Sequence, residues 1–186
     1  MMLGRGLPPF GVGIDICRIS RIYKNLRSPL ATKFVERILT PEELKVPFTL
    51  QILKCVFTPS PDLKDGRDPK MGKAAEFMAG RFAAKEAVIK AYSLRKLYYR
   101  DVVVTYQNHL STLSENETLS DSSQKEQEPP PQGDRSKERH GPPVAIIKGD
   151  GIRENVYARL SITHDGDYAS AVCLTMLENP GVSDES

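Results

Sequence analysis

The stretch RFAAKEAVIKAYS, from Arg81 to Ser93, constrains the fold more than any other in the chain. Good helix formers dominate it. Ala83, Ala84, Ala87, Val88 and Ala91 make nearly the whole circumference of the predicted helix small or apolar. Such a helix is packed on several sides and belongs at the centre of a domain. Glu86 and Lys90 nevertheless stand in it, an i,i+4 pair in the favourable order. The plain reading is a solvated ion pair worth about 0.3–0.5 kcal/mol. Against it, a carboxylate among small apolar residues needs a cation. Lys90 would serve, and so would a divalent metal.

The rest of the chain must supply what packs on this helix. Its 186 residues suffice for one domain with a real core, and they are read as a single domain over 1–186. The hydrophobic content of 39% and charged content of 27% are those of a soluble globular protein. No apolar run approaches the roughly 20 residues of a membrane helix. Cys17, Cys55 and Cys173 are odd in number and widely spaced, with no CxxC pair, which favours neither a disulfide framework nor a zinc site. An intracellular, reducing compartment is expected. The opening MMLGRGLPPFG has no apolar secretory core, and strand-like sequence follows it directly.

Charge is divided unevenly. Residues 109–143 hold four Lys/Arg against seven Asp/Glu, a net of −3, so the remainder of a chain of net +2 carries +5. Leu110, Leu113 and Leu119 are the only large apolar residues there, among Ser, Glu, Gln and Pro, and the stretch is expected to be a disordered insertion. A second loop is expected over 58–73, TPSPDLKDGRDPKMGK, on its Pro, Gly and Asp content.

Between these loops strands and helices alternate. In GVGIDI, Val12, Ile14 and Ile16 share one face of a strand and Gly13 and Asp15 the other, so Asp15 projects away from the apolar face. Ile19, Ile22, Tyr23 and Leu26 then repeat at helical spacing, with Arg18, Arg21, Lys24 and Arg27 opposite. Thr40, Pro41 and Glu43 form a capping box that starts another helix, which Pro47 keeps short or kinks. A long helix is expected around Ala75 to Leu94. DVVVTYQ and PVAIIK read as hairpin strands on either side of the insertion. RLSITHDGDYASAVCLTML reads as two strands about an Asp165-Gly166 turn, which puts His164 at a strand end.

Four blocks, GVGIDI, FVERILTPEEL, FMAGRFAAKEAVIKA and LSITHDGDYASAV, resemble in order and character the holo-acyl-carrier-protein synthase type of 4'-phosphopantetheinyl transferase. The resemblance covers most of the chain outside the two loops. It implies an α+β fold with a small antiparallel sheet wrapped by helices, assembled as a homotrimer with active sites between subunits. It implies transfer of the phosphopantetheine arm of coenzyme A to a serine of an acyl carrier protein, with Mg2+, releasing adenosine 3',5'-bisphosphate for fatty acid biosynthesis. On it, Asp15 and Glu86 are the metal ligands, and Arg81, Lys90 and His164 face the coenzyme's phosphates. Asp15, Glu86, Lys90 and His164 are the catalytic set.

The residue types suit that chemistry. Phosphoryl transfer asks mainly for positioning and charge neutralisation. Asp15 and Glu86 are hard oxygen ligands of the kind magnesium takes, and Lys90 lies one turn along from Glu86. The serine's proton goes to a metal-bound water or to Glu86. Taken singly, His164 reads as a surface histidine and Arg81 as a solvated charge, and Lys85 stays ambiguous. The Arg18/Arg21/Lys24/Arg27 face reads as an ordinary exposed polar side, and its unbroken positive sign gives it a second expected use, docking an acidic carrier protein. No nucleic-acid motif or aromatic interleaving accompanies it, so nucleic acid is not the expected partner, and neither is a membrane. Bacterial relatives carry a glycine-bearing loop after this helix; here AYSLRKLYYRDV offers Arg95 and Lys96 in its place. The expanded loops suggest a eukaryotic member with a mitochondrial address, the cytoplasm being the alternative. A binding module that retains the coenzyme or carrier site without catalysis, and a metal-dependent phosphohydrolase, are the competing classes.

Overall fold

The computed structural model describes residues 9–58, 68–109 and 141–177. The described elements begin with β1 (Phe10–Arg18), followed by α1 (Ile19–Leu26), α2 (Ala31–Ile38), α3 (Pro41–Lys45), α4 (Pro47–Phe57) and α5 (Pro69–Ala91). Four strands complete them: β2 (Val102–Tyr106), β3 (Pro143–Ile147), β4 (Val156–Asp165) and β5 (Tyr168–Met176). With β1 they form one five-stranded antiparallel sheet in the order β1-β5-β4-β3-β2. The architecture is therefore the expected α+β one, a small antiparallel sheet with helices packed against it.

Helix α5 is central, as its composition requires. It packs on β1, β5 and β4 and touches α1 and α4, and Ala74, Ala75, Ala79, Ala83, Ala84 and Ala87 on it are fully buried. Small residues on the sheet let it come close. Gly11 and Gly13 of β1 face the helix, where an added Cβ would lie 1.9 Å from the carbonyl oxygens of Ala91 and Ala87 respectively. Ala169, Ala171 and Cys173 of β5 are buried on the same side.

The alternation read in GVGIDI is present, but its apolar face is the outward one. Val12, Ile14 and Ile16 are all more than 60% exposed, at 62%, 62% and 64%. Proximity decides this: only the glycine face admits a helix at that distance. Across the ladder Val12 pairs with Leu174 and Ile14 with Val172, so β1 and β5 together present an apolar sheet face to solvent.

Other expectations fare variously. The capping box at α3 is formed, with Thr40 Oγ1 accepting from Glu43 N at 3.3 Å and Glu43 Oε2 accepting from Thr40 N at 2.9 Å. Pro47 ends α3 by opening α4, a helix the sequence reading did not anticipate. The loop expected over 58–73 is shorter at its far end. Pro69 to Lys73 are helical because Asp68 Oδ1 accepts from Lys70 N at 2.8 Å and Pro69 occupies the first turn. Helix α5 therefore starts earlier than Ala75 and stops at Ala91. Residues 59–67 and 110–140, which hold the remainder of that loop and nearly all of the insertion, lie outside the described residues. The hairpin around the insertion is formed, with Tyr106 opposite Pro143. Strands β4 and β5 turn at Gly166, whose φ is 53°. The three cysteines are free.

Candidate active site

Strand β1 carries Asp15 on its glycine face, so the carboxylate points toward α5 and meets Lys90. Lys90 Nζ donates to Asp15 Oδ1 at 2.7 Å and to the Ile14 carbonyl at 3.1 Å. Lys90 therefore turns to Asp15 and not to Glu86, and the plain i,i+4 pair is not formed. The Asp15 hydrogen bond raises the Lys90 pKa, and Glu86 adds to that from within electrostatic reach. The other oxygen, Asp15 Oδ2, is buried with no hydrogen-bond partner among the described residues. A buried carboxylate oxygen without a donor is costly unless something else satisfies it.

Glu86 is held from the other side. Its Oε1 accepts a hydrogen bond from the Tyr99 hydroxyl. Burial, followed by this bond, raises the Tyr99 pKa, so the phenol is protonated and donates. Asp15, Glu86 and Lys90 thus converge where β1 crosses the last turns of α5. No group of three or more His, Cys, Asp or Glu gathers among the described residues. Two carboxylates, one with an orphaned oxygen, nevertheless fit Mg2+, which is held by one or two carboxylates together with substrate phosphates.

Arg81 and His164 form a second cluster further along α5. They line a cavity of about 640 Å³ with Phe48, Phe77, Gly80 and Tyr106. The His164 Nε2 lies 3.1 Å from the Glu76 carbonyl. Gly80 makes room for that ring, since an added Cβ would sit 3.1 Å from Nε2. Arg81 reaches the cavity with its guanidinium 5.1 Å from the centre of the Phe77 ring, donates to the Val104 carbonyl, and lies 3.9 Å from Glu43 Oε1. Arg81 is therefore no plain solvated charge.

Lys85 is settled as a buried strut. It is 0% exposed, and its Nζ donates to the Ile38 carbonyl at 2.7 Å, to Glu43 Oε2 at 2.5 Å and to the Tyr99 carbonyl at 3.0 Å. Burial lowers its pKa, and Glu43 opposes that shift. Glu43 also accepts from Val104 N at 3.3 Å, so one buried carboxylate joins α3, α5 and β2.

The basic face is exposed along α1, yet its members differ. Arg18, Arg21 and Arg27 stand over the rings of Tyr168, Phe82 and Tyr23, at 5.4, 5.2 and 5.9 Å. A cleft of about 500 Å³ opens beside Arg18, Arg21 and Lys24. The helix is fixed to the sheet by Asp167 of the β4–β5 turn, which accepts from Ser20 N at 2.8 Å and Ser20 Oγ at 2.7 Å. Arg95 is no substitute for a phosphate cradle: its guanidinium is tied to the Lys148 carbonyl at 2.6 Å and lies near Asp101 and Asp150. Lys96 stays outside, over the Tyr98 ring.

Sequence reasoning missed Tyr99, Glu43 and Gly80. Glu43 had a signal, its place in the capping box, which explained it without a buried partner. Tyr99 had none, because no local period links it to Glu86.

Comparison with known proteins bears on the family and the fold. The sequence profile of the 4'-phosphopantetheinyl transferase superfamily matches residues 11–128. The chain is similar to the holo-[acyl-carrier-protein] synthase of Geobacillus kaustophilus, 34% identical over 164 residues that span 87% of this chain and 84% of that relative. It is also similar to the holo-[acyl-carrier-protein] synthase of Bacillus cereus, 42% identical over 81 residues, 44% of this chain and 50% of the relative. Among solved structures, a holo-ACP-synthase from Plasmodium yoelii shares the fold at 20% identity and a TM-score of 0.50, covering 91% of this chain and 95% of that one. An ACPS–CoA complex from Chronobacterium ammoniagenes does so at 22% identity and 0.50, covering 92% and 100%. The bacterial relatives lend no support to a mitochondrial address, and no described helix is long and apolar enough to cross a membrane. With more than four fifths of both chains aligned at 34% identity, and the superfamily profile matching residues 11–128, the chain belongs to the holo-acyl-carrier-protein synthase family of 4'-phosphopantetheinyl transferases.

Proposed function

We propose that the chain, folding as a single domain, transfers 4'-phosphopantetheine from coenzyme A to a serine of an apo acyl carrier protein. The supporting observation is the orphaned Asp15 Oδ2 beside Glu86 and Lys90. The serine oxygen forms a bond to the phosphorus carrying the pantetheine arm. The bond from that phosphorus to the bridging pyrophosphate oxygen breaks, and adenosine 3',5'-bisphosphate leaves with that oxygen. Mg2+ held by Asp15 and Glu86 would supply Lewis-acid neutralisation of the pyrophosphate.

The chain's own residues do the rest. Lys90, half-exposed and already turned toward Asp15, offers a point charge to phosphate oxygens. Arg81, Lys73 and His164 line the neighbouring cavity with positive or hydrogen-bonding groups, next to the rings of Phe48, Phe77 and Tyr106, a combination suited to a phosphorylated nucleoside. Glu86 is the chain's own candidate to accept the serine proton. The α1 face, with Arg18, Arg21, Lys24 and Arg27, meets the acidic carrier. The open apolar face of β1 and β5 is covered by further copies in a homotrimer, which brings site residues of neighbouring chains together.

Incubation with coenzyme A, Mg2+ and an apo carrier protein, followed by weighing of the carrier by mass spectrometry, tests this. The expected result is a carrier heavier by one phosphopantetheine and dependent on Mg2+. Coenzyme binding with an unchanged carrier would leave a non-catalytic binding module; hydrolysed coenzyme with an unchanged carrier would mean a phosphohydrolase.

A further inference from the structure

Tyr99 touches both members of the Lys85-Glu86 dipeptide, and it does so with different parts of itself. Its main-chain carbonyl accepts from Lys85 Nζ at 3.0 Å, while its hydroxyl donates to Glu86 Oε1. Its ring rests on Phe82, one turn before Glu86, with centroids 5.6 Å apart. The 3-10 turn Tyr99–Asp101 that presents it is itself anchored. Asp101 Oδ2 accepts from Tyr98 N at 2.8 Å, and the Asp101 carbonyl accepts from Lys148 N at 2.8 Å at the end of β3.

The direction of control follows from burial. Lys85 is sealed in the core and held by three oxygens, so it cannot follow motions at the surface. Through it the Tyr99 main chain is fixed, and through the Tyr99 hydroxyl so is one oxygen of Glu86. Glu86 Oε2 takes no hydrogen bond from the described residues. A glutamate has three rotatable bonds to order before it can serve as a ligand, and a donor on its far oxygen orders them in advance.

We propose that Tyr99 is a positioning residue that pre-sets Glu86 for a divalent cation, with the buried Lys85 as its anchor. The inference rests on the transferase reading above and adds to it a residue outside the predicted catalytic set. A tyrosine hydroxyl with a merely structural role satisfies itself on any acceptor and alters stability alone. A positioning hydroxyl alters how tightly the cation is held.

The test is Tyr99→Phe, which keeps the ring on Phe82 and removes only the donor. Mg2+ is titrated calorimetrically into the protein saturated with coenzyme A, and transfer is measured against Mg2+ and against carrier concentration. Expected are a roughly tenfold weaker Mg2+ affinity, a matching rise in the Mg2+ needed for half-maximal transfer, and an unchanged KM for the carrier. In a Glu86→Ala background the same change is expected to add nothing, since the acceptor it positions is gone. An unmoved Mg2+ titration in folded Tyr99→Phe, or full additivity with Glu86→Ala, would overturn this inference while leaving the transferase reading intact. Absence of transfer by the parent chain would overturn both.

Discussion

Gly13 stands against Ala87 so closely that a single added carbon would lie 1.9 Å from the Ala87 carbonyl oxygen. The clash is with helix backbone, which cannot swing aside as a side chain can. Gly13→Ala is therefore expected to destabilise the fold by about 3 kcal/mol, at the upper end of overpacking costs. In whatever fraction stays folded, β1 shifts away from α5 and takes Asp15 from Lys90. Urea unfolding combined with the carrier assay checks this; a variant with the parent's midpoint and turnover would show that the strand and helix part without consequence.

Lys85 offers a contrasting case, in which loss of a charge harms by leaving another behind. Lys85→Met preserves volume but strands Glu43, which is 3% exposed, and should cost about 3–5 kcal/mol. Pairing it with Glu43→Gln is expected to return part of that loss. Equal destabilisation by the single and double variants would argue that the ammonium's bonds to Ile38 and Tyr99 carbonyls dominate.

These two residues also mark what the chain disclosed before its structure was considered. The packing of α5 on several sides, the hairpin around the insertion and the capping box at Thr40 were legible, since periodicity and turn chemistry are local signals. The orientation of β1 was legible only as an alternation. Which face turns inward depends on glycine carbons that are missing and on a helix far along the chain. Tyr99 and the Glu43–Lys85 bond were illegible for the same reason: thirteen residues separate Tyr99 from Glu86 and forty-two separate Lys85 from Glu43, and no period spans such intervals.

Gly80 lies within a helix, where alanine is ordinarily favoured by about 1 kcal/mol. Its position beside His164 sets a competing effect, because the new methyl would push on a ring nitrogen 3.1 Å away. Gly80→Ala is expected to melt at the parent's temperature or above it and to bind coenzyme A about tenfold more weakly, roughly 1.4 kcal/mol. Calorimetry with coenzyme A decides the matter; unchanged affinity would remove His164 from the nucleotide site.

On and beside α1, Arg18, Arg21 and Arg27 rest on aromatic rings, whereas Lys24 has no such contact among the described residues. Lys24→Glu therefore reverses charge on the face with little loss of packing. The KM for the carrier is expected to rise severalfold, more steeply at low salt, with coenzyme affinity unchanged. A parallel loss of coenzyme affinity would assign the face to the nucleotide.

Acid should weaken the fold through Glu42. Burial raises the pKa of this carboxyl, but hydrogen bonds from its own backbone N–H, Lys148 and Thr40 outweigh that and hold it at about 2, against an ordinary 4.5. A depressed carboxyl stabilises the folded state above its unfolded pKa, and that contribution fades as pH falls from 4.5 toward 2. The pair with Lys148 is half-exposed, so the effect is under about 1 kcal/mol. Melting curves of the parent and Glu42→Gln should differ at neutral pH and converge across this window; a constant offset would place the stabilisation elsewhere.

If further copies cover the apolar face of β1 and β5 as proposed, that face would link how much chain a cell makes to how much enzyme it has. A lone copy keeps Val12, Ile14, Ile16 and Leu174 wet, and burial among copies depends on how often they meet. Competent enzyme would then appear as a steep power of synthesis rate: scarce chains would stay inert, and a modest rise in expression would switch on a disproportionate share of activity.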